Sequence, residues 1–257
     1  MKAKNLSWLL FGIGLILSVS INPVWGEQQA EDAGKGLFDG VWEWYYPDGR
    51  IQLKKTYKNG KQEGPYEGFH KNGYLKSKGF YKDDKLEGPA ETYGENGQLE
   101  TKGTFLNDQK YGLWEEYFAN GKLKSKSYYK NGKLDGPTET FYETGQMESK
   151  KAFVNEQRDS VWEDFYPNGQ LKYRRTYKNG QLDGPYEAYH ENRKLEVKGR
   201  YLNGQKEGTE ETYYENGRLR SKGSHRNGRN DGPWEYHSEN GLHKKKVTFR
   251  DGKIAGR

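Results

Sequence analysis

"GPYEGFHKNGYLKSKGFYKDDKLEG", residues 64–88, ends on the glycine that opens the next copy of the same sentence. Gly40, Gly64, Gly88, Gly112, Gly136, Ser160, Gly184, Gly208, Gly232 and Gly256 stand 24 residues apart, with no insertion or deletion between them. A fixed period of this length means a tandem array in which each unit buries its surface against the next. Positions are numbered below from that opening residue, so Gly49 and Gly73 both lie at +9.

Two further rows of turn residues divide each unit. At +9 stand Gly49, Gly73, Gly97, Gly121, Gly145, Gly169, Arg193, Gly217 and Gly241, most of them after Asn or Asp. At +20 stand Gly60, Asp84, Asp108, Gly132, Glu156, Gly180, Gly204, Gly228 and Gly252, again after Asn or Asp. "PDG" at 47–49 and "PNG" at 167–169 suit a three-residue hairpin loop, with proline at φ near −65° and glycine at positive φ. "KNG" at 58–60, 130–132 and 178–180 is expected to form the same loop at the other end. The runs between turns, such as "VWEWYY" and "LKKTY", are short, aromatic and without helix caps. The expected fold is all-β: one elongated antiparallel meander of about nine stacked 24-residue hairpins, eighteen strands in all. At ~4.8 Å per strand the sheet would be on the order of 85 Å long.

Side-chain rows follow from the same count. Aromatic residues at +5 (Tyr45, Phe69, Tyr93, Tyr117, Phe141, Phe165, Tyr189, Tyr213) should face aliphatic ones at +11 (Ile51, Leu75, Leu99, Leu123, Met147, Leu171, Leu195, Leu219) across the three-residue loop. By period two, the aromatics at +17 (Tyr57, Tyr81, Phe105, Tyr129, Phe153, Tyr177, Tyr201) should share that face and complete an apolar ladder. Position +3 is glutamate in all nine units, from Glu43 to Glu235, and +14 is always Lys or Arg, from Lys54 to Lys246. A two-residue loop puts these charges opposite one another and a three-residue loop puts them on different faces. Both arrangements are open at this stage, as are two uses: a solvated ladder that sets register, or a stripe of binding carboxylates.

Composition bounds the function. Apolar residues make up 31% of the 257, too few for a thick core, yet 21 Tyr, 10 Phe and 7 Trp are too many for a disordered chain. The net charge of +6 comes from 43 basic and 37 acidic side chains of interspersed sign, which argues against nucleic acid as a partner. Without cysteine there is neither a disulfide framework nor a thiolate metal site. His70, His190, His225, His237 and His243 fall in no catalytic motif, and open sheet faces offer a general acid little seclusion. No catalytic residue and no cofactor is expected. His237 and His243, at +5 and +11 of the last unit, suggest a cross-strand pair with metal-binding chemistry; a terminal repeat that turns polar because nothing stacks on it accounts for them without a metal.

Residues 1–26 read differently. Lys2 and Lys4 precede an uncharged, largely apolar stretch from Leu6 to Ile21, and "INPVWG" at 21–26 supplies a processing site before Glu27. The expected organisation is a signal peptide at 1–26, a linker and partial repeat at 27–39, and nine repeats at 40–256. An uncleaved anchor is the alternative; either way the repeats lie outside the cytoplasm.

"GRYLNGQKEG" at 199–208 fits the GxYxxGxxxG core of the MORN repeat, and the full unit with its Y-x-NG-x-L half resembles the MORN repeat variant of bacterial proteins, including YwqK-like antitoxins. Ser160, Arg193, Asp84, Asp108 and Glu156 depart from the pattern at glycine positions. The resemblance implies a hairpin array that contacts proteins or membrane surfaces, and no catalytic residue. Three functions compete: an exported scaffold for a protein partner, an antitoxin-like neutralising protein, and a polysaccharide or cell-wall binder. The last would use the aromatic ladder at +2, formed by Trp42, Tyr66, Trp114, Trp162, Tyr186 and Trp234.

Overall fold

The computed structural model describes residues 39–255. The expected signal peptide and nearly all of the expected linker lie outside the described residues. The rest is one 21-stranded antiparallel sheet in which each strand pairs with its neighbours in sequence, except that the two pieces of a divided strand share one partner. Eighteen strands were expected; two of those divide, at Glu87 and Glu207, and Lys253–Ile254 adds a last short one.

The first repeat shows how the hairpin is built. Gly40–Tyr45 pairs with Ile51–Lys58 around the loop Pro47-Asp48-Gly49. Tyr46 N donates to Arg50 O at 2.7 Å and Gly49 N to Tyr46 O at 2.9 Å, with Gly49 at φ 83°, so this is the three-residue loop expected. The other end is different. Lys58 lies directly opposite Lys61, and the two residues between them, Asn59 and Gly60, have φ of 52° and 76°. That is a two-residue type I′ turn, favoured because its twist matches that of the flanking strands. The residues that depart from glycine keep the same conformation: Asp84, Asp108 and Glu156 at φ 63–66°, Ser160 at 61° and Arg193 at 71°.

Two bulges per repeat set the register. Tyr45 faces Ile51, as expected, but Trp44 faces Leu53 and Glu43 faces Lys54, so Gln52 is an extra residue. The same slip recurs in the seven repeats that follow. It overturns the single apolar ladder, because period-two alternation does not survive an inserted residue. Position +17 lands on the face of +2, away from +5 and +11. The second bulge joins repeats: Tyr57 faces Gln62 and Lys55 faces Tyr66, leaving Thr56 against Glu63, Gly64 and Pro65. Gly64 sits here at φ 131°, and a Cβ on it would stand 2.8 Å from Thr56 Cβ. The opening glycine of the repeat is thus a bulge residue.

The last hairpin breaks the rule. His237 faces Lys244 with no slip, and Ser238 N reaches His243 O at 3.0 Å across a longer loop. His237 and His243 are therefore not a cross-strand pair, and among the described residues no group of three or more metal-ligating side chains is assembled.

Candidate interaction surface

The two faces of the sheet carry different chemistry. On one, the +2 and +17 rings pack against one another in edge-to-face and tilted pairs, in groups separated where +2 is Ala90, Thr138 or Glu210. Trp114 lies 5.0 Å from Phe105 of the preceding repeat and 6.4 Å from Tyr129 of its own, centroid to centroid. Trp162 lies 5.1 and 4.8 Å from Phe153 and Tyr177. Three of the indoles also donate across the bulge to a +16 carbonyl of the preceding repeat: Trp114 Nε1 to Thr104 O at 3.1 Å, Trp162 to Ala152 O at 3.0 Å and Trp234 to Ser224 O at 3.1 Å. Glycine beneath the rings makes room, since a Cβ on Gly103 would stand 2.2 Å from the Trp114 indole.

This places the six residues of the aromatic ladder. Trp234 is 4% exposed, Trp114 and Trp162 are 7% and Tyr186 is 9%, while Trp42 and Tyr66 are half-buried. Burial pushes the Tyr66 phenol up to about 12, with the neighbouring Tyr81 adding to the effect. Rings that stack on a sugar need an open face, and these spend their faces on one another. Where repeat 8 has Glu210 in place of a ring, the carboxylate is buried too, accepting hydrogen bonds from Tyr186 Oη and Lys206 Nζ with His225 Nε2 at 3.4 Å. Burial works to raise its pKa, but those bonds more than offset it and hold the group below its ordinary value.

The opposite face carries the charges. Each +3 glutamate faces the +14 base of its own repeat and that of the preceding one: Glu67 pairs with Lys78 and Lys54, Glu187 with Lys198 and Arg174. The result is an unbroken file of alternating charge from Glu43 to Lys246. Glu211 shows the local arrangement, with Lys198 Nζ at 2.7 Å, Lys222 Nζ at 2.9 Å and a hydrogen bond from Tyr213 Oη. Bonds from Lys198, Tyr213 and Lys222 pull its carboxyl down to about 2. Tyr45, Tyr93, Tyr117 and Tyr189 donate in the same way to the glutamate two residues before them.

Beside this file runs a second row that the sequence reading did not single out. Positions +1 and +16 face each other on the charged side, and Val41, Phe80, Leu113, Tyr128 and Val161 stand there exposed, Val41 at 64%. The signal that would have found Val41, Leu113 and Val161 is the recurrence of apolar residues, proline included, at +1, two positions before the invariant glutamate; Phe80 and Tyr128 are their +16 counterparts, visible only once the register is known.

The model of the MORN repeat variant matches residues 38–59, 62–83, 86–107, 110–131, 134–155, 158–179 and 206–227, in phase with the 24-residue period. No curated protein matches. Two solved structures share a weak likeness: "Crystal Structure of TcdB2-TccC3-Cdc42", 11% identical over 81% of this chain at a TM-score of 0.23, and "Crystal Structure of TcdB2-TccC3-TEV", 12% identical over 82% at 0.17. This chain spans 14% and 13% of theirs, and at those scores the likeness carries no argument. On the seven in-phase segments and the hairpin array they describe, the chain belongs to the MORN repeat variant family.

Proposed function

We propose that the protein is an exported, non-enzymatic repeat scaffold that holds a protein partner at the cell envelope. MORN repeats bind proteins or membranes, and the geometry here favours a protein. The observation that carries the reading is the exposed apolar row of Val41, Phe80, Leu113, Tyr128 and Val161 running beside the charge file. Large apolar side chains left exposed in line mark an interaction surface. The adjacent charges alternate in sign every strand, which suits a partner of defined charge pattern better than a uniformly anionic lipid surface. Export is supported by the basic, apolar and processing segments of residues 1–26. Sequencing the mature N-terminus tests it: cleavage gives a chain that starts at Glu27.

The binding test is affinity capture from envelope extract, with the partner identified by mass spectrometry. The variant Phe80→Ser/Leu113→Ser/Tyr128→Ser changes only exposed positions, so it should fold and lose the partner. Retention of the same partner by this variant would overturn the reading, and retention of the wild type on purified peptidoglycan alone would replace it with the cell-wall one. A co-purifying toxin would identify the antitoxin-like form of the same scaffold.

A further inference from the structure

In six repeats the side chain at +6 is a ring with a polar tip, and the tip reaches the +5 carbonyl of the next repeat. Tyr46 and Tyr142 Oη donate to Phe69 O and Phe165 O at 2.7 Å, Tyr166 to Tyr189 O at 2.9 Å and Tyr214 to His237 O at 2.8 Å. His70 and His190 Nε2 stand 2.8 and 3.0 Å from Tyr93 O and Tyr213 O. These latches tie neighbouring loops together. The row breaks at two consecutive repeats in the middle of the array, where Gly94 has no side chain and Phe118 has a ring without a donor. Among the described residues no side chain donates to the carbonyls they would serve, Tyr117 O and Phe141 O. Beside Gly94 an asparagine latch is altered as well: Asn72, Asn192 and Asn216 Nδ2 donate to Glu95 O, Glu215 O and Glu239 O at 2.6, 2.8 and 3.2 Å and Asn120 reaches Glu143 O at 3.5 Å, whereas Asn96 Nδ2 stands 3.5 Å from Gln98 Oε1 in its own loop.

A groove opens at the break. One lobe, about 610 Å³, is lined by Gly94, Glu95, Glu100, Glu116, Tyr117 and Phe118 among others. A second, about 530 Å³, shares Glu116, Phe118 and Lys124 and runs on to Phe141 and Tyr142.

We propose that this groove binds a tyrosine side chain of a protein partner, presented beside a basic residue. The inference rests on the protein-binding reading above and adds to the exposed row a second contact of stated chemistry, on the face of the +2 rings. The array itself is the template, because the equivalent space in four other repeats is filled by the chain's own tyrosine, its hydroxyl on the equivalent carbonyl. At Gly94 the space and the acceptor remain while the ring is missing. Glu95, Glu100 and Glu116 line the first lobe against Lys124 alone, which lies 3.7 Å from Glu116, so the excess charge is negative and complements a lysine or arginine flanking the tyrosine. A tyrosine anchor brings a large contact area with few rotatable bonds to freeze.

The test is calorimetric titration of the full repeat array with the blocked peptide Lys-Tyr-Lys, its Lys-Phe-Lys analogue and chitobiose. Saturable binding of the tyrosine peptide is expected, with the phenylalanine analogue roughly three- to ten-fold weaker for the lost hydrogen bond. Gly94→Tyr puts the missing ring into the groove. Gly94 does not lie in the left-handed region, and a Cβ there would meet only Asn96 Oδ1 at 2.9 Å and Glu100 Oε1 at 3.0 Å, both ends of flexible side chains. This variant should melt higher and bind no peptide. Should it misfold, Glu100→Lys at the exposed rim gives the second reading, with binding weakened several-fold. No saturation by Lys-Tyr-Lys, unchanged binding by both variants, or chitobiose competing for the groove would each overturn the proposal. Failure of the peptide while the envelope partner is still captured sinks this inference alone; failure of both sinks the scaffold reading too.

Discussion

Glu43 faces Lys54 across the first hairpin although Tyr45, two residues nearer the loop, faces Ile51. Only an extra residue between Ile51 and Lys54 reconciles the two pairings, and Gln52 is that residue. The bulge divides the labour of the sheet: +3 and +14 meet on one face as ions, and +2 and +17 meet on the other as rings. Four consequences can be measured.

The ring face is the core. Trp114→Ala removes an indole packed between Phe105 and Tyr129 and its bond to Thr104 O, and should cost about 3–5 kcal/mol. Phe80→Ala, on the exposed row, should cost under ~1 kcal/mol. Urea unfolding of both variants checks the contrast; equal costs would mean the faces are assigned wrongly.

Acid should weaken the charged face. Glu211 is held down to about 2 by hydrogen bonds from Lys198, Tyr213 and Lys222, below its ordinary 4.5. A carboxylate whose pKa falls on folding contributes stability that is complete above the unfolded value and is lost as pH drops through the folded one. The melting temperature should therefore fall between about pH 4.5 and pH 2, and Glu211→Gln should flatten that part of the curve.

The type I′ turns discriminate between two departures from glycine. Glu156 adopts φ 66° and its side chain makes only a long, exposed ion pair to Lys133 at 3.9 Å. Glu156→Gly should stabilise by about 0.5–1 kcal/mol by relieving the left-handed strain. Asp108 at φ 63° differs, because its Oδ1 accepts from Leu86 N of the preceding turn at 2.7 Å. Asp108→Gly loses that bond and should show no gain. Thermal melts of the two variants side by side are sufficient.

Much of this was legible before any coordinates. The period, the hairpins, the three-residue loop and the facing of +5 and +11 follow from glycine spacing and turn chemistry alone. The bulge at +12 was missed because the position has no fixed residue type, being Gln52, Lys76, Glu100 and Lys124 in the first four repeats, and a bulge costs the sequence nothing but a phase shift. Its trace was present: glutamate at every +3 and a base at every +14 demand a pairing that the loop by itself forbids. "KNG" was misread as a three-residue loop although Asn-Gly is the strongest two-residue hairpin signal. The rings at +2 were singled out as a ladder, but that the +17 rings join them on one face depended on the unseen slip. The latch row was hidden because its donors are of two kinds, Tyr and His, and its acceptors are backbone carbonyls, which any residue provides.

Paired cysteines test the slip most directly, in a chain that has none of its own. Glu139 lies opposite Lys150 while Phe141 lies opposite Met147, so the double variant Glu139→Cys/Lys150→Cys should oxidise readily to a disulfide. Glu139→Cys/Ser149→Cys should stay reduced under the same conditions. Fast, exclusive cross-linking of the 139–149 pair would mean that the strands run without the extra residue, and the separation of an ionic face from an aromatic one would not stand.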